Sequence, residues 1–291
     1  IVAALLEWRK DERIATTYGY RWLDEQVGHD DRLRGAWTAS DGAAGRMTAS
    51  AGLHNLPVPL RPAVAAEPGF VFVRADLGQI EPRVLAAVSG DAAFAEATLA
   101  DDLYAPVAAK LRVERSVAKI AVLAAMYGQR SGAAGEALRD LQRAYPVAMG
   151  LLDEAYAAGL ARRPLRTFGG RLIRLDSALA PEAGQVVGEG WDAARGRFAR
   201  NAIIQGAAAE LFKAWAATVR HHLPSLGGQI VLCLHDELLL HVPVEASEAV
   251  AALVHQTLTD SSRRWVGASA GPPVRFVADV SIINRWHEAK G

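Results

Sequence analysis

Asp76 is a carboxylate that directly follows an apolar run and comes shortly before a helical pattern. The run covers residues 70–75 and consists largely of β-forming residues, which predicts a buried strand that stops at Asp76. The helical pattern starts near Gln79 and contains Glu81. An Asp in this position is typical of a helix cap, because its oxygens accept hydrogen bonds from the free amides of the first turn. The same carboxylate could instead hold a cation at the end of the strand.

His235, Asp236 and Glu237 form a polar turn between two apolar, strand-like runs over residues 229–234 and 238–242. Tight turns usually contain Gly or Asn, and neither occurs here. Two adjacent acids at the tip of an apolar hairpin repel each other unless a cation lies nearby. Because carboxylate oxygens are the ligands that Mg²⁺ prefers, the turn indicates either a metal site or a solvated loop.

Arg115, Lys119, Leu123 and Tyr127 follow each other at a spacing of four residues within an otherwise apolar segment. This spacing places the four side chains in one stripe along a helix. A cationic stripe suits an anion such as a polyphosphate, since Lys supplies a point charge and Arg a bidentate fork. The alternative is a core helix whose two basic side chains reach solvent with their charged ends.

Arg197, Asn201 and Gln205 form a second stripe at the same spacing. Residues 160–200 contain eight Arg and only four acids, so this region is basic within a neutral chain. Arg together with Asn and Gln on one face is the set of side chains that contacts phosphates, sugars and base edges. The alternative is a solvated helix.

These four groups of residues need a framework that brings distant segments together, and the order of the elements predicts an α+β fold. The framework is a sheet covered by helices, with a mostly helical region inserted between its strands. The expected elements are, in chain order, a helix over 1–28, an extended loop over 35–68, the strand over 70–75, the helical region from 92 to about 219 with a small hairpin within 165–175, the hairpin over 229–242, a helix over about 246–265 and a strand over 274–282.

The composition indicates a soluble, globular chain. Of the 291 residues, 51% are hydrophobic and 22% are charged, and 32 basic side chains balance 32 acidic ones. A chain of this length forms roughly two structural units and buries a core without disulfides. The single cysteine, Cys233, excludes an intramolecular disulfide and favours a cytoplasmic location. The longest apolar runs are far shorter than the ~20 residues that span a bilayer, so no membrane is expected as a partner.

Taken together and in this order, the segments resemble the polymerase domain of the family A DNA polymerases, the DNA polymerase I family. The resemblance extends from about residue 35 to the C-terminus. The matching segments are residues 76–86, similar to motif A, residues 115–128, similar to the motif B helix of the fingers, residues 234–238, similar to motif C, and two weaker matches at residues 45–48 with 54–57 and at residues 197–206.

The resemblance implies template-directed addition of deoxynucleotides (dNTPs) to a primer 3′-hydroxyl by two-metal-ion nucleotidyl transfer. It assigns two Mg²⁺ ions, with Mn²⁺ as a substitute, to Asp76, Asp236 and Glu237. Lys119 would join Asp76 and Asp236 as a catalytic group by protonating the departing pyrophosphate. The incoming nucleotide would be bound by Arg115, Lys119, Leu123, Tyr127, Gln79, Glu81 and Tyr104. Primer-template DNA would be contacted by Arg46, Arg197, Asn201, Gln205 and His235.

The architecture that the resemblance implies is a right-hand polymerase fold of the α+β class. It combines a palm, built from an antiparallel sheet with helices, and helical fingers, and its thumb is truncated or absent. The expected divisions are residues 1–34 as a residual thumb-base helix, 35–91 as the first part of the palm, 92–200 as the fingers and 201–291 as the second part of the palm. Because the chain lacks both an initiator Met and a signal peptide, we expect a fragment of a longer protein, with room for an exonuclease domain upstream.

The chain departs from the family pattern at positions that bear on activity. Leu77 and Gly78 stand where motif A usually has Tyr and Ser. Pro82 stands in the first turn of the following helix, where its missing N–H is tolerated. Leu123 replaces the Phe or Tyr that the family places beside the sugar, which predicts altered sugar discrimination. Tyr104 replaces a His that commonly contacts phosphate, so a positive charge is absent there.

Three alternatives stay open on the sequence. A single-subunit RNA polymerase shares motifs A, B and C, although a carboxylate at Glu81 should disfavour ribonucleotides. A degenerate polymerase-like module would bind primed DNA without efficient synthesis, and the departures at Leu77 and Leu123 favour it. A metal nuclease would use Asp76 and Asp236 but would leave the fingers helix unexplained.

Overall fold

The computed structural model describes residues 1–40, 44–128, 135–175, 189–267 and 271–289. Its α helices are α1 (Val2–Tyr18), α2 (Tyr20–Gln26), α3 (Ile80–Ser89), α4 (Ala92–Ala97), α5 (Tyr104–Leu111), α6 (Arg115–Tyr127), α7 (Gly135–Ala144), α8 (Pro146–Leu160), α9 (Glu189–His222) and α10 (Ser247–Val266). Its β strands are β1 (Trp37–Thr38), β2 (Thr48–Ala49), β3 (Phe70–Leu77), β4 (Leu165–Arg166), β5 (Leu172–Ile173), β6 (Gln229–Leu234), β7 (Glu237–Pro243) and β8 (Ala278–Ile283).

A four-stranded antiparallel sheet lies at the centre of the fold, in the order β6-β7-β3-β8. Six of the eight residues of β3 are buried, and its aromatic and β-branched side chains suit an inner strand. β6 and β7 form the predicted hairpin, and its tight turn consists of His235 and Asp236. The sheet therefore brings the end of β3 beside a turn that is far away in the sequence.

Helices cover the sheet and join it to the helical region. α9 packs against α3, α6, α8 and α10, while α10 packs against β3, β7 and β8. One buried cluster extends from Val73 and Leu240 of the sheet through Trp215 of α9 to Leu152 of α8. A smaller cluster on the other side of the sheet includes Phe72. This layout is the α+β fold that the sequence predicts.

The longest helix, α9, has 34 residues. At a rise of 1.5 Å per residue, it is about 51 Å long. The boundary expected between residues 200 and 201 lies inside this helix. The regions 92–200 and 201–291 are therefore joined by one continuous helix.

Several elements differ from the sequence expectation. The single helix expected over 1–28 is interrupted at Gly19, which has extended backbone angles. The chain is so tight there that a Cβ on Gly19 would lie 2.2 Å from the carbonyl oxygen of Ala15. β3 continues one residue past Asp76, and the extended loop over 35–68 contains the short pair β1 and β2.

Other predicted elements are confirmed. The small hairpin within 165–175 is formed by β4 and β5, and the C-terminal helix and strand are α10 and β8, although β8 starts four residues later than predicted, at Ala278. Among the helices that the structure describes, none is both long enough and apolar enough to cross a membrane.

Candidate active site

The sheet brings Asp76 and Asp236 together at one end. Asp76 is the second-last residue of β3, and the backbone N–H of its neighbour Leu77 donates a 2.9 Å hydrogen bond to the carbonyl of Asp236. Helix α3 starts only at Ile80, and no side chain caps its first turn. The capping interpretation of Asp76 is therefore wrong, because its carboxylate lies in the strand and not at the helix start.

The two carboxylates share an environment that disfavours negative charge. Burial, followed by the neighbouring charge of Asp236, raises the pKa of Asp76 from 3.8 to about 6, although Arg74 opposes the shift. Burial also raises the pKa of Asp236, with Glu81 and Glu237 adding to the shift and Arg46 opposing it. Two neighbouring half-buried carboxylates with raised pKa values would be stabilised by a cation placed between them.

Glu237, the third predicted metal ligand, is engaged elsewhere. It is buried in β7, where its Oε2 accepts a 2.9 Å hydrogen bond from Nε of Arg74. Its Oε1 accepts a 2.8 Å hydrogen bond from Nε1 of Trp286. Both oxygens of Glu237 therefore already have donors within the fold.

With both oxygens of Glu237 engaged, few side chains are left to bind a metal ion. Within the described part of the chain, no group of three or more His, Cys, Asp or Glu side chains is arranged to hold a metal ion. Asp76 and Asp236 remain as a pair, and hard carboxylate oxygens fit a divalent cation. Mg²⁺ that acts on phosphates is typically held by one or two carboxylates, with the substrate's phosphate oxygens completing the coordination. The pair thus fits such an ion when a nucleotide is also bound.

Arg74 and Asp279 belong to the same cluster and were missed by the sequence analysis. Arg74 lies in β3, two residues before Asp76, and Asp279 of β8 is in register with Asp76. The signal for Arg74 was available, because an Arg inside a buried strand requires acidic partners. Asp279 had no comparable signal, since its position beside Asp76 depends on strand register.

Helix α6 presents the predicted cationic stripe on its accessible side. Its buried face consists mainly of alanines, including Ala118, Ala121 and Ala125. Arg115 and Lys119 are exposed, Leu123 is half-buried and Tyr127 is 42% exposed. The helix ends at Gly128, whose left-handed backbone (φ 71°) suits a glycine after a helix. The stripe is therefore available to a ligand.

Gln79 and Arg115 are linked through Asp102. The carboxylate of Asp102 accepts hydrogen bonds from Nε (2.5 Å) and Nη2 (3.1 Å) of Arg115 and from Nε2 of Gln79 (2.8 Å). The guanidinium of Arg115 also lies over the ring of Tyr104, at 5.7 Å from its centroid. Burial is the main cause that raises the pKa of Tyr104 to about 12, so its hydroxyl stays protonated at neutral pH. This network connects the end of β3 to the start of α6.

Arg46 and Glu81 form an ion pair beside Asp236. Glu81 is 9% exposed, and burial raises its pKa despite the opposing effect of Arg46. The loop that carries Arg46 is anchored by side chains from other elements. Nζ of Lys213 donates to the carbonyl of Gly45 at 3.1 Å, and Arg171 donates to the preceding carbonyl. The predicted sugar-sensing and primer-contacting residues are thus in direct contact.

The second predicted stripe lies along α9. Arg197 is exposed, while Asn201 and Gln205 are half-buried. Nδ2 of Asn201 is buried without a hydrogen-bond partner in the structure. One residue pair fixes this part of α9 to α6, because Nε of Arg200 donates a 2.5 Å hydrogen bond to the carbonyl of Ala125.

His235 occupies the first position of the hairpin turn, with a backbone φ of 28°. Its ring lies against that of His54, with 4.7 Å between the centroids. Burial, Arg46 and His54 together lower the pKa of His235, so the ring is neutral at pH 7. Its exposed position beside Asp236 is compatible with the predicted contact to a primer end.

Three comparisons relate the chain to known proteins. The family model described as DNA polymerase family A matches residues 1–288. The DNA polymerase I of Chloroflexus aurantiacus is 29% identical over 91% of the chain and 31% of its own length. The thermostable DNA polymerase I of Thermus filiformis is 30% identical over 100% of the chain and 36% of its own length. The chain thus spans about a third of the length of these relatives.

A solved structure has the same fold. The POL domain of Pol1 from M. smegmatis, in complex with DNA primer-template and dNTP, matches with a TM-score of 0.81 and 24% identity. The match covers 98% of this chain and 53% of the other. It supports the α+β architecture described above.

Proposed function

Because the chain belongs to DNA polymerase family A, we propose that it is a catalytic core that adds deoxynucleotides to a primer 3′-hydroxyl under the direction of a template. One observation carries this proposal: the sheet places Asp76 beside Asp236, and the Gln79–Asp102–Arg115 network connects this pair to the cationic face of α6. A divalent-ion site adjacent to a polyphosphate-binding helix is what nucleotidyl transfer requires.

Asp76 and Asp236 would hold the divalent ions, which we propose to be two Mg²⁺ with Mn²⁺ as a substitute. When bound, such ions supply positive charge that activates the primer hydroxyl and neutralises the phosphates. Glu237 would support the pair indirectly, because its oxygens are held by Arg74 and Trp286. The protein's own contribution would be to hold two carboxylates beside each other at the end of the sheet, where a bound cation would favour their ionised form.

The nucleotide would lie along α6. Lys119 and Arg115 would bind the triphosphate, and Nζ of Lys119 would donate a proton to the departing pyrophosphate. Arg115 would exchange its bond with Asp102 for one with phosphate oxygens. Tyr104 would donate from its protonated hydroxyl, and Glu81 would exclude a ribose 2′-hydroxyl.

Three other residues complete the proposed nucleotide site. Gln79 would keep the start of α3 linked to the fingers through Asp102. Leu123 and Tyr127 would form the half-exposed apolar wall against the base and sugar.

The DNA would lie across α9 and the loop that carries Arg46. Arg197, Asn201 and Gln205 share one face of α9 and would contact the phosphates, sugars and base edges of the DNA. His235 would contact the primer end from the hairpin turn. We further propose that residues 35–91 and 201–291 form the palm, 92–200 the fingers and 1–34 the base of a thumb. We also propose a cytoplasmic location, which would suit a protein that acts on DNA.

Primer extension tests the proposal directly. We expect Asp236→Asn to lower single-turnover incorporation by about a thousandfold or more, since charge stabilisation by a divalent ion contributes several kcal/mol. Primer-template affinity should change little. Asp260→Asn is the matched control, because Asp260 lies in α10 and pairs with Arg263. Incorporation that survives Asp236→Asn would contradict the assignment.

The same assay separates the proposal from the alternatives. A chain that binds primed DNA but extends it with neither dNTPs nor ribonucleotides would be a degenerate module. A preference for ribonucleotides would indicate an RNA polymerase and would contradict the role given to Glu81.

A further inference from the structure

Arg74 is a buried cation in the middle of the acidic cluster. It lies in the inner strand β3, and only 5% of its surface is exposed. Its side chain is on the same face of the sheet as that of Asp76, because residues two apart in a strand share a face. Register places Glu237 of β7 and Asp279 of β8 on either side of Asp76. The guanidinium is therefore surrounded by three carboxylates.

All three nitrogens of the Arg74 guanidinium face carboxylates. Nη2 lies 2.8 Å from Oδ2 of Asp76 and 2.8 Å from Oε2 of Glu237. Nε donates to the same oxygen of Glu237 at 2.9 Å, and Nη1 lies 3.8 Å from Oδ2 of Asp279. One oxygen of Asp76 is thus fixed in place by a charged hydrogen bond.

The charge of Arg74 has a second effect. A guanidinium stays protonated at any pH at which the protein folds, so this positive charge is permanent. A divalent cation that binds Asp76 and Asp236 must come close to the positive charge of Arg74, because Arg74 is hydrogen-bonded to Asp76. The repulsion is only partly screened, because Arg74 is buried.

We propose that Arg74 is a positioning residue that orients Asp76 for a divalent ion and at the same time weakens binding of that ion. The proposal rests on the proposed function, which assigns the ion to Asp76 and Asp236. Arg74 would thus favour catalysis by orienting Asp76 and would disfavour ion binding by its charge. The first effect can be measured as kcat and the second as affinity for the ion.

Binding of Mn²⁺ alone, followed by the electron paramagnetic resonance signal of the free ion, tests the second effect. The measurement uses the full chain without nucleotide. We expect Arg74→Gln to bind Mn²⁺ roughly tenfold more tightly, as expected for the loss of one nearby charge. Loss of a merely structural arginine would loosen the site and weaken binding. Unchanged or weaker Mn²⁺ binding in Arg74→Gln would overturn the proposal.

Arg195→Gln is the matched control. Arg195 is also a buried arginine paired with an aspartate, but it lies in α9 and bonds to Asp192 and the carbonyl of Gly159. Its replacement should lower stability without changing Mn²⁺ affinity. A tenfold tightening in this control as well would overturn the proposal, because the effect would then be unrelated to the acidic cluster.

A conservative variant tests the orienting effect and remains informative if Arg74→Gln does not fold. Arg74→Lys keeps the positive charge but cannot bond Asp76 and Glu237 with one planar fork. We expect its Mn²⁺ affinity to stay within about threefold of the wild type, while kcat falls at least about tenfold with little change in KM for the nucleotide. Wild-type kcat in this variant would overturn the orienting role.

Failure of the proposed function has a different signature. If Asp76→Asn and Asp236→Asn leave Mn²⁺ binding unchanged, the ion does not bind this pair and the proposed function fails. If both variants abolish binding but Arg74→Gln leaves it unchanged, only the inference about Arg74 fails.

Discussion

At the scale of single residues, the fold brings Asp76 and Asp236 together through the backbone. The hydrogen bond from the N–H of Leu77 to the carbonyl of Asp236 sets their separation, and Arg74 compensates part of the negative charge. Holding two carboxylates this close lowers the stability of the ion-free protein. The proposed catalytic pair is therefore a place where the ion-free fold has unfavourable electrostatic energy, which a bound cation would relieve.

The pKa of Asp76 leads to a prediction about stability and pH. Because this pKa rises from its ordinary value of 3.8 to about 6 on folding, the folded protein binds an additional proton between these values. The corresponding stability is complete below about pH 4 and is lost as the pH rises through 6. In a chelator, Asp76→Asn should raise the free energy of unfolding at pH 8 by about 1–2 kcal/mol, allowing for solvent screening.

Denaturant unfolding at several pH values provides the measurement. The gain from Asp76→Asn should be much smaller at pH 4 and should disappear near pH 3, where the wild-type carboxyl is protonated in both states. Asp260→Asn is the control, because Asp260 pairs with Arg263 in α10 and lies outside the acidic cluster. A gain of the same size at pH 4 and pH 8 would contradict the prediction.

Lys119 leads to a second prediction at this scale. Its exposed position on α6 suits a point charge for the triphosphate. Lys119→Ala should lower single-turnover incorporation by about a hundredfold or more, as for loss of a general acid, with little effect on primer-template affinity. Lys10→Ala in α1 is the control. Equal losses in incorporation and in primer-template affinity would show that Lys119 binds DNA rather than the nucleotide.

At the scale of elements, the contact between α8 and α9 depends on glycines. A Cβ on Gly159 would lie 2.8 Å from the Cβ of Ala199 and 2.8 Å from the carbonyl oxygen of Arg195. Gly196 of α9 is similarly tight, because its Cβ would lie 2.8 Å from the ring of Tyr156. The two helices thus approach backbone to backbone, and the packing of the helical region depends on this contact.

Two glycines of α8 allow a matched test of this packing. Gly159→Ala should lower the free energy of unfolding by about 1–3 kcal/mol, because the added methyl group has no space. Gly150→Ala should raise it by about 0.5–1 kcal/mol, since nothing lies within 4 Å of its Cβ position and alanine favours the helix. Thermal unfolding of both variants checks the pair. Equal effects of the two substitutions would show that the close approach is unimportant.

The elements also show how far sequence reasoning reaches. β3 and the β6–β7 hairpin were predicted because they are short apolar runs, in the hairpin on either side of a polar turn, and α6 was predicted from side chains spaced four residues apart. The break at Gly19 was missed, because no proline or turn cluster accompanies it. The acidic cluster was predicted only in part, since the position of Asp279 and the partners of Arg74 and Glu237 follow from strand register between distant segments.

At the scale of the whole molecule, the neutral net charge conceals an uneven distribution. The 32 acids offset the 32 bases in the sum, but several acids lie in the cluster at the end of β3, whereas Arg46 and Arg197 lie at the proposed DNA surface. Affinity for DNA should therefore come from a few local contacts rather than from a long-range field. We expect weak and distributive binding that depends strongly on salt.

The salt dependence gives a measurable prediction. If about four phosphates are contacted, primer-template affinity should fall roughly a hundredfold between 50 and 200 mM salt. Arg197→Ala should reduce the slope of log affinity against log salt by about one, which fluorescence anisotropy can measure. Arg264→Ala on α10 is the control and should leave the slope unchanged. An unchanged slope in Arg197→Ala would remove this residue from the DNA surface.

The length of α9 has a consequence for insertions and deletions. Arg200 holds the end of α6 and Lys213 holds the loop of Arg46, so two separate attachments lie on one rigid helix. One residue added between them would rotate one attachment by about 100° relative to the other and move it by 1.5 Å. The chain can therefore vary in length within its loops. Between Arg200 and Lys213, however, the number of residues must stay the same, because an insertion or deletion would turn the two attachments away from their partners, whereas a substitution would not.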